Sequence, residues 1–334
     1  MAGDEKTSKD WRLTDPRHDT ELWAFDYDNY SYLERASNED LHIRYKEIVN
    51  NVDHLVCPLR DTLPARDHIR SSWWWLKIKF QTEREYSRRG LALPEVKEAL
   101  SVPEGPAVYT PSTPNECKRV VRYGEAKWLM PMLTDGIIRI SPASKYKGEV
   151  LKIDNARHAD ELKNHRYVPG NRVTITLPRT GQAIPIIGNL KHTIRMAGDY
   201  YVLCFSHEFD YRLFSAFKND QGKTADACLV INNVDEFARR LDVAMRERFS
   251  NWNFYWNRMF YFDPYYNVPG KTEPTPGAYK DFKYAYQREY RFLWHPMSFD
   301  PGLRFGTFEM KIGSLEDIAT LHYYPDYKSG SAEG

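Results

Sequence analysis

Cysteine is scarce in this chain of 334 residues. The four present (Cys57, Cys117, Cys204 and Cys228) lie far apart with no Cys-x-x-Cys, which excludes a disulfide miniprotein and offers no zinc ribbon or redox pair. Long apolar runs are missing too: none approaches the roughly 18–20 residues needed to cross a bilayer. The opening stretch Met1–Trp11 is polar rather than basic and then apolar, so the expectation is a cytoplasmic protein with no membrane partner. Charge of one sign is absent as well. Lys and Arg number 47 against 46 Asp and Glu, which argues against broad phosphate neutralisation along a nucleic-acid duplex. There is no Gly-x-Gly-x-x-Gly and no Gly-x-x-x-x-Gly-Lys-Ser/Thr, so a doubly wound nucleotide domain is not indicated. No two of the ten histidines stand at helical ligand spacing, and no metal is expected.

Aromatic rings, by contrast, are plentiful: Phe, Tyr and Trp make up 14% of the chain and serve packing, stacking or both. The first 35 or so residues mix them with acids and read as an arm packed on something else. Ser37-Asn38-Glu39-Asp40 supplies a helix start ahead of Leu41, Tyr45, Ile48 and Val49. A longer helix is expected over residues 65–89, where Ile69, Trp73, Leu76 and Phe80 share a face and Gly90 is a natural stop. It carries Trp73-Trp74-Trp75 together with Arg66, Arg70, Lys77 and Lys79, which fits interior packing or a stacking surface for nucleobases. Five prolines between Pro94 and Pro114 mark a linker. Beyond it, short β-branched and aromatic runs alternate with polar turns, interrupted by helices near 125–133 and 235–249, the second with Asp235 as N-cap. The fold expected is α+β, a helical region over 1–115 followed by a mostly antiparallel domain over 116–330.

Lys283–Trp294 carries the most chemistry. Read as one strand, it places Tyr284, Tyr286, Arg288, Tyr290, Phe292 and Trp294 on one face and Ala285, Gln287, Glu289, Arg291 and Leu293 on the other. Two other candidates are weaker. His207-Glu208-Phe209-Asp210 lacks a ligand pair, and Cys204 sits in an apolar strand with no activating base.

The chain from about 116 to 325 resembles the Arg-Ser-Glu class of ADP-ribosyltransferase folds, and in its order of elements a family of bacterial and phage-defence proteins related to that fold. The stretches that carry the resemblance are Arg122-Tyr123-Gly124 with Asp135-Gly136-Ile137-Ile138-Arg139-Ile140-Ser141-Pro142, then Tyr201–Ser206, Lys283–Arg291 and Ile312–Ile318. Where the family has Glu-x-Glu this chain has Gln287-Arg288-Glu289. Its Trp-rich helix is replaced by Leu213-Phe214-Ser215-Ala216-Phe217, and residues 150–197 read as an insertion.

The resemblance implies a two-sheet domain that consumes NAD as co-substrate, without a metal, and transfers ADP-ribose to a macromolecular acceptor, protein or nucleic acid. The family context implies a toxin or phage-defence effector, with an antitoxin or activating partner. Glu289 would stabilise the oxocarbenium-like transition state and Gln287 would reach the acceptor or the ribose. Ser206 would hold Glu289 or the nicotinamide ribose, Arg122 would take the pyrophosphate through its two-pronged guanidinium, and Tyr146 would stack on nicotinamide. Arg119 and Arg139 are alternative phosphate ligands. Two rival readings remain: an NAD glycohydrolase with water as acceptor, and a non-enzymatic nucleic-acid or protein-binding module using the rings of 284–294 and Trp73–Trp75.

Overall fold

The computed structural model describes residues 17–55, 72–96, 119–146, 161–210, 212–217, 223–266, 273–298 and 305–324. The chain divides into two compact units, Met1–Lys97 with Tyr167–Leu190 and Glu98–Arg166 with Lys191–Gly334. The middle of the stretch that reads as an insertion thus belongs with the N-terminal helices. The proline-rich linker beyond residue 96 and the expected helical turns over 65–71 fall outside the described residues. No helix among those described is long and apolar enough to cross a membrane.

In the first unit the described helices are α1 (Thr20–Asn29), α2 (Asn38–Leu55) and α3 (Ser72–Arg88). The aromatic arm of the sequence reading is therefore partly helix. Asp19 caps α1, its carboxylate accepting from the Leu22 amide at 2.8 Å, and Ser37 Oγ accepts from the Asp40 amide at 3.0 Å to start α2. Gly90, at φ +64°, ends α3 in the left-handed conformation that a side chain would resist. The buried positions of α2 (Leu41, Arg44, Tyr45, Ile48, Asn51, Val52) and of α3 (Trp75, Ile78, Gln81, Thr82, Glu85, Tyr86) recur at three- and four-residue steps, which lines one face of each helix toward the other. Glu85 is fully buried between them. It accepts from Tyr27 Oη at 2.7 Å, Arg88 Nε at 3.0 Å and Arg89 Nε at 2.6 Å.

Of the rings and cations expected for packing or nucleobase stacking, Arg66 and Arg70 lie outside the described residues, and Trp73 and Trp74 are half-buried. Trp75 is wholly buried, the Arg17 guanidinium lies 4.7 Å over Trp73, Lys77 pairs with Asp26, and Lys79 pairs with Glu83.

The second unit is mixed α+β and mostly antiparallel. Its elements begin with β1 (Val120–Gly124), α4 (Ala126–Thr134), β2 (Ile137–Pro142) and β3 (Lys163–Pro169), the last of which runs into the first unit. The short hairpin β4 (Ile175–Thr176) and β5 (Ala183–Ile184) belongs to the first unit, and β6 (Asn189–Arg195) pairs with β3. Then come β7 (Tyr201–Ser206), α5 (Arg212–Ala216), β8 (Ala227–Ile231), α6 (Val234–Arg248), β9 (Trp252–Arg258), β10 (Phe260–Phe262), β11 (Tyr279–Asp281), β12 (Glu289–Pro296), β13 (Phe308–Lys311) and β14 (Ala319–Tyr323). The cap of α6 is Asn233 rather than Asp235: its side chain accepts from the Glu236 amide, leaving Asp235 in the first turn.

β7 organises the main sheet. One edge pairs with β12 over its whole length, Tyr201↔Trp294 through Ser206↔Glu289, and β12 in turn pairs with β9. The opposite edge is shared: β2 takes Tyr201 and Val202, while β1 takes Ser206. β13 continues from β2, and β8 and β14 continue from β1. The sheet therefore splits along β7, with β2 and β1 diverging around Leu203–Phe205. Below the split lies the core, where Phe205, Phe237 and Phe292 meet edge to face at 5.3–5.6 Å.

One expectation is corrected. Residues 284–294 are not a single strand: Phe282–Gln287 form a 3₁₀ turn, Arg288 stands at φ 49°, ψ 48°, and the strand begins at Glu289. The expected wall of five rings is reduced to Tyr290, Phe292 and Trp294, all buried in the core. A strand over 284–288 would continue the buried aromatic row, whereas the turn frees Tyr284 to lie against Lys280, whose ammonium is 4.9 Å from the ring centre.

Candidate functional site

The gap where β1 and β2 part is a cleft of about 230 Å³, lined by Arg122, Arg139, Tyr146, Glu161, Cys204, Ser206, Lys280, Gln287 and Glu289 among others. All five side chains singled out from the sequence, Arg122, Tyr146, Ser206, Gln287 and Glu289, line this one space. Arg122 comes from β1, Tyr146 from the 3₁₀ turn Ala143–Tyr146 that follows β2, and Ser206 from the end of β7.

Arg122 performs a structural task as well. Between the pairings at Val202 and Ser206, the Cys204 carbonyl faces the split with no strand opposite it. Arg122 Nη1 donates to that oxygen at 2.7 Å and the guanidinium lies 5.6 Å over the Phe205 ring. The buried carbonyl is thereby satisfied without closing the sheet.

Gln287 and Glu289 reach the cleft by a route that alternation along a strand does not describe. Arg288 is the non-glycine residue with positive φ among the described residues, and two acids hold it there: its Nη1 donates to the buried Asp210 at 2.7 Å and its Nε lies 3.4 Å from Glu208. Left-handed backbone is costly for a side-chain-bearing residue, and this ion pairing offsets it. The kink brings the flanking side chains to one ammonium: Lys280 Nζ donates to Gln287 Oε1 at 3.0 Å and to Glu289 Oε2 at 2.8 Å. Ser206 Oγ donates to the Gln287 carbonyl at 2.7 Å. The serine thus fixes the turn rather than Glu289 itself, a correction to one of its two expected roles. Backbone contacts pin Glu289 further, since its amide donates to Tyr261 Oη and its carbonyl accepts from the Met259 amide, both at 2.9 Å.

Three side chains that the sequence reading did not assign complete the centre. Arg291, two residues along the same face of β12, donates through Nε to Glu289 Oε1 at 2.8 Å and through Nη2 to Oε2 at 3.1 Å. Glu161, just before β3, lies 2.5 Å from Arg291 Nη2 and 3.3 Å from Lys280 Nζ. Glu289, Lys280, Glu161 and Arg291 form a closed ring of alternating charge, each nine-tenths or more buried. Its geometry is set from outside: Asn164 Nδ2 donates to the carbonyls of Pro274 and Tyr279 at 2.8 and 2.9 Å, tying β3 to β11 and hence to Lys280. Arg291 was legible as the next residue on the Glu289 face. Lys280 and Glu161 lie on segments whose sequence carries no signal of their meeting.

Burial by itself would raise the Glu289 pKa, but Arg291 and then Lys280 outweigh it and hold the carboxyl well below the usual carboxylate range. Burial would lower Lys280, and the neighbouring Glu161 and Glu289 carboxylates instead raise it. The thiol of Cys204 is pushed well above its ordinary value, first by burial and then by Glu289, so it is no nucleophile at neutral pH. The sign of the pH dependence follows. Glu289 contributes stability that is complete above its unfolded pKa of about 4.3 and is lost as pH falls below that value toward its depressed native one. Lys280 contributes stability that is complete below about 10.4 and is lost as pH rises beyond it. Urea midpoints measured from pH 3 to 11 are therefore expected to plateau between about 5 and 10, with the acid shoulder flattened in Glu289→Gln; an equally steep acid limb in that variant would remove Glu289 as its cause.

Arg122, Arg139 and Lys280 outnumber Glu161 and Glu289 in the lining of the cleft, which favours a ligand with negative charge. No group of three or more His, Cys, Asp or Glu able to hold a metal is found among the described residues. Compared with family profiles, curated proteins and solved structures, the chain matches none.

Proposed function

We propose that the second unit is an NAD-consuming ADP-ribosyltransferase of the Arg-Ser-Glu type, its two diverging half-sheets holding the co-substrate and its acceptor a macromolecule. The observation that carries the reading is the convergence of Arg122, Tyr146, Ser206, Gln287 and Glu289 on the single cleft at the split of β7. A space of about 230 Å³ is smaller than the ~300–1,000 Å³ of typical ligand sites. It suits a nicotinamide riboside end, with the adenylate outside.

The chemistry is compatible with the resting contacts. A carboxylate offers about four lone-pair directions. In Glu289, three are taken, by Arg291 Nε, Arg291 Nη2 and Lys280. The Cys204 thiol occupies the remaining one; it is a weak donor that a ribose 2′-hydroxyl can displace, and the fixed negative charge then stabilises the oxocarbenium as the bond to nicotinamide breaks. Arg122 and Arg139 stand at the cleft wall for phosphate oxygens. The Gln287 amide nitrogen is 3.5 Å from Tyr286 Oη, a long contact that an acceptor or ribose oxygen can replace. Of the rings on which the binding-module reading relied, Tyr284, Tyr290, Phe292, Trp294 and Trp75 are buried, while Trp73, Trp74 and Tyr286 are half-buried.

The test is nicotinamide release and label transfer from adenylate-labelled NAD in cell lysate split into nuclease-treated and protease-treated halves. Glu289→Asp keeps the negative charge beside Lys280 and Arg291 but withdraws the carboxylate by one methylene. It is expected to lose about 10²-fold in rate while keeping a near-native urea midpoint. Label that disappears with nuclease identifies a nucleic-acid acceptor, and label that disappears with protease a protein. Release without transfer moves the reading to hydrolysis. Wild type that leaves NAD intact in both halves, or Glu289→Asp as active as wild type, overturns it.

A further inference from the structure

Asp and Glu make up 46 of the 334 residues, so a stretch of 37 residues would carry about five. Leu162–Gly198 carries none. It holds instead Lys163, Arg166, Arg172, Arg179, Lys191 and Arg195, with His165 and His192. In a chain whose charges otherwise nearly balance, such a segment concentrates positive charge. Its two ends, up to Arg166 and from Lys191, belong to the second unit and lie on the ribbon β3–β6.

Two contacts fix how that part of the ribbon faces. The Met196 amide donates to the Leu162 carbonyl at 3.0 Å, and His165 Nδ1 lies 3.0 Å from Thr193 Oγ1. Antiparallel register therefore puts Lys163 opposite Arg195 and His165 opposite Thr193, and alternation along β6 adds Lys191 to the same face. The other face is held against residues 273–279: Asn164 is buried and donates to the Pro274 and Tyr279 carbonyls, and Arg166 pairs with Glu273 at 3.6 Å. The outer face thus reads Lys163, His165, Lys191, Thr193 and Arg195. Lys191 and Arg195 are exposed and the other three half-buried. All five side chains carry hydrogen-bond donors, and no acidic or apolar side chain stands among them.

These features select the ligand. Positive charge without a carboxylate beside it attracts an anion, and Lys191 and Arg195, about 13 Å apart along one strand, suit an anion whose charges repeat along a chain. Binding to a lipid surface draws on apolar side chains beside the cations, and this face has none. We infer that the outer face of β3–β6 binds the phosphodiester backbone of a nucleic acid, with Lys191 and Arg195 as its principal contacts. The inference stands on the ribbon itself and does not require NAD cleavage in the cleft.

Fluorescence anisotropy of the full chain with a labelled single strand of about 15 nucleotides and with its duplex, at several salt concentrations, tests it. Saturable binding is expected at low salt, with log Kd rising by about 2–3 per decade of salt for three cations. Lys191→Gln combined with Arg195→Gln is expected to weaken binding at least tenfold and to lower that slope by about 1.4–1.8, with the urea midpoint unchanged. Arg239→Gln combined with Arg246→Gln removes the same charge from α6 and is expected to change neither affinity nor slope. The tighter of the two probes identifies the form bound. Absence of saturable binding of both probes at low salt overturns the inference, as does equal weakening by the two double variants. Binding to phosphatidylserine vesicles that the oligonucleotide fails to displace also overturns it, in favour of a membrane surface.

Discussion

Arg291→Met is expected to destabilise the protein by about 3–5 kcal/mol, the cost of leaving buried charge without its partner. The guanidinium is 1% exposed and is shared by two carboxylates, Glu289 at 2.8 Å and Glu161 at 2.5 Å. Its removal leaves both acids with Lys280 alone, and all three side chains are nine-tenths or more buried. The penalty should be conditional on ionisation. Arg291 is the first cause that holds the Glu289 pKa down, so without it that pKa rises and the gap between variant and wild type should narrow as pH falls below about 5, where Glu289 can take up a proton instead. The charge count offers a second check. Arg291→Met combined with Glu161→Gln leaves a balanced Lys280–Glu289 pair and is expected to recover part of the loss, a coupling that a double-mutant cycle of urea midpoints measures directly. A cost under about 1 kcal/mol for the single variant would place the ring of charges in contact with solvent, where such pairs contribute little. The same reasoning bears on Glu289→Gln, which removes one of two acids from two buried cations. Loss of activity in that variant mixes chemistry with folding, and Glu289→Asp is the cleaner probe.

What the sequence revealed of the site, and what it did not, follows from the range over which each signal acts. Ser37, Gly90 and the three- and four-residue steps of α2 and α3 are local, and the structure uses each where the sequence puts it. Asp19 and the helix it caps were hidden because aromatic residues among acids give no clear period over ten positions. The strand over 284–294 was misread for a related reason. Alternating rings satisfy a strand pattern, but the choice between strand and turn is made at Arg288, whose left-handed backbone depends on Asp210 and Glu208 some 80 residues earlier. His207–Asp210 had been weighed as metal ligands, and two of its acids turn out to be the partners that set this kink. Gln287 and Glu289 were thus picked correctly as neighbours in space for a reason that does not hold, since no shared strand face joins them; Lys280 does. Lys280 and Glu161 could not be found from local pattern, because a lone lysine in Tyr279–Asp281 and a lone glutamate before β3 become a site only through the pairing of β10 with β11 and the Asn164 bridge.

Gly136→Ala is expected to be among the most damaging single-methyl additions in the chain, at about 3 kcal/mol or more. Gly136 ends the turn from α4 into β2 at φ +63°, and a Cβ placed there would lie 1.8 Å from the Gly313 carbonyl oxygen and 2.6 Å from its carbon. These are backbone atoms and cannot rotate aside. To relieve the contact, the turn after β13 must move off, which strains two hydrogen bonds: Ile312 N–H to the Gly136 carbonyl at 3.1 Å and Leu315 N–H to the Leu133 carbonyl at 2.8 Å. It also draws on Leu315, which is wholly buried in the core. The Asp135-Gly136 and Ile312-Gly313 stretches, which stand out separately in the sequence, are therefore two halves of one close backbone approach. Gly313 supplies the control. It too has positive φ, at +80°, but a Cβ there meets nothing within 4 Å, so Gly313→Ala should cost only the left-handed strain of about 1–2 kcal/mol. Thermal unfolding of the two variants side by side separates collision from strain: equal losses would mean that the approach at Gly136 relaxes freely. A markedly larger loss at Gly136 would show that the β2–β13 edge is held rigidly. Arg139 lies on β2 and pairs across to Glu309 of β13, so that rigidity would extend to one wall of the cleft.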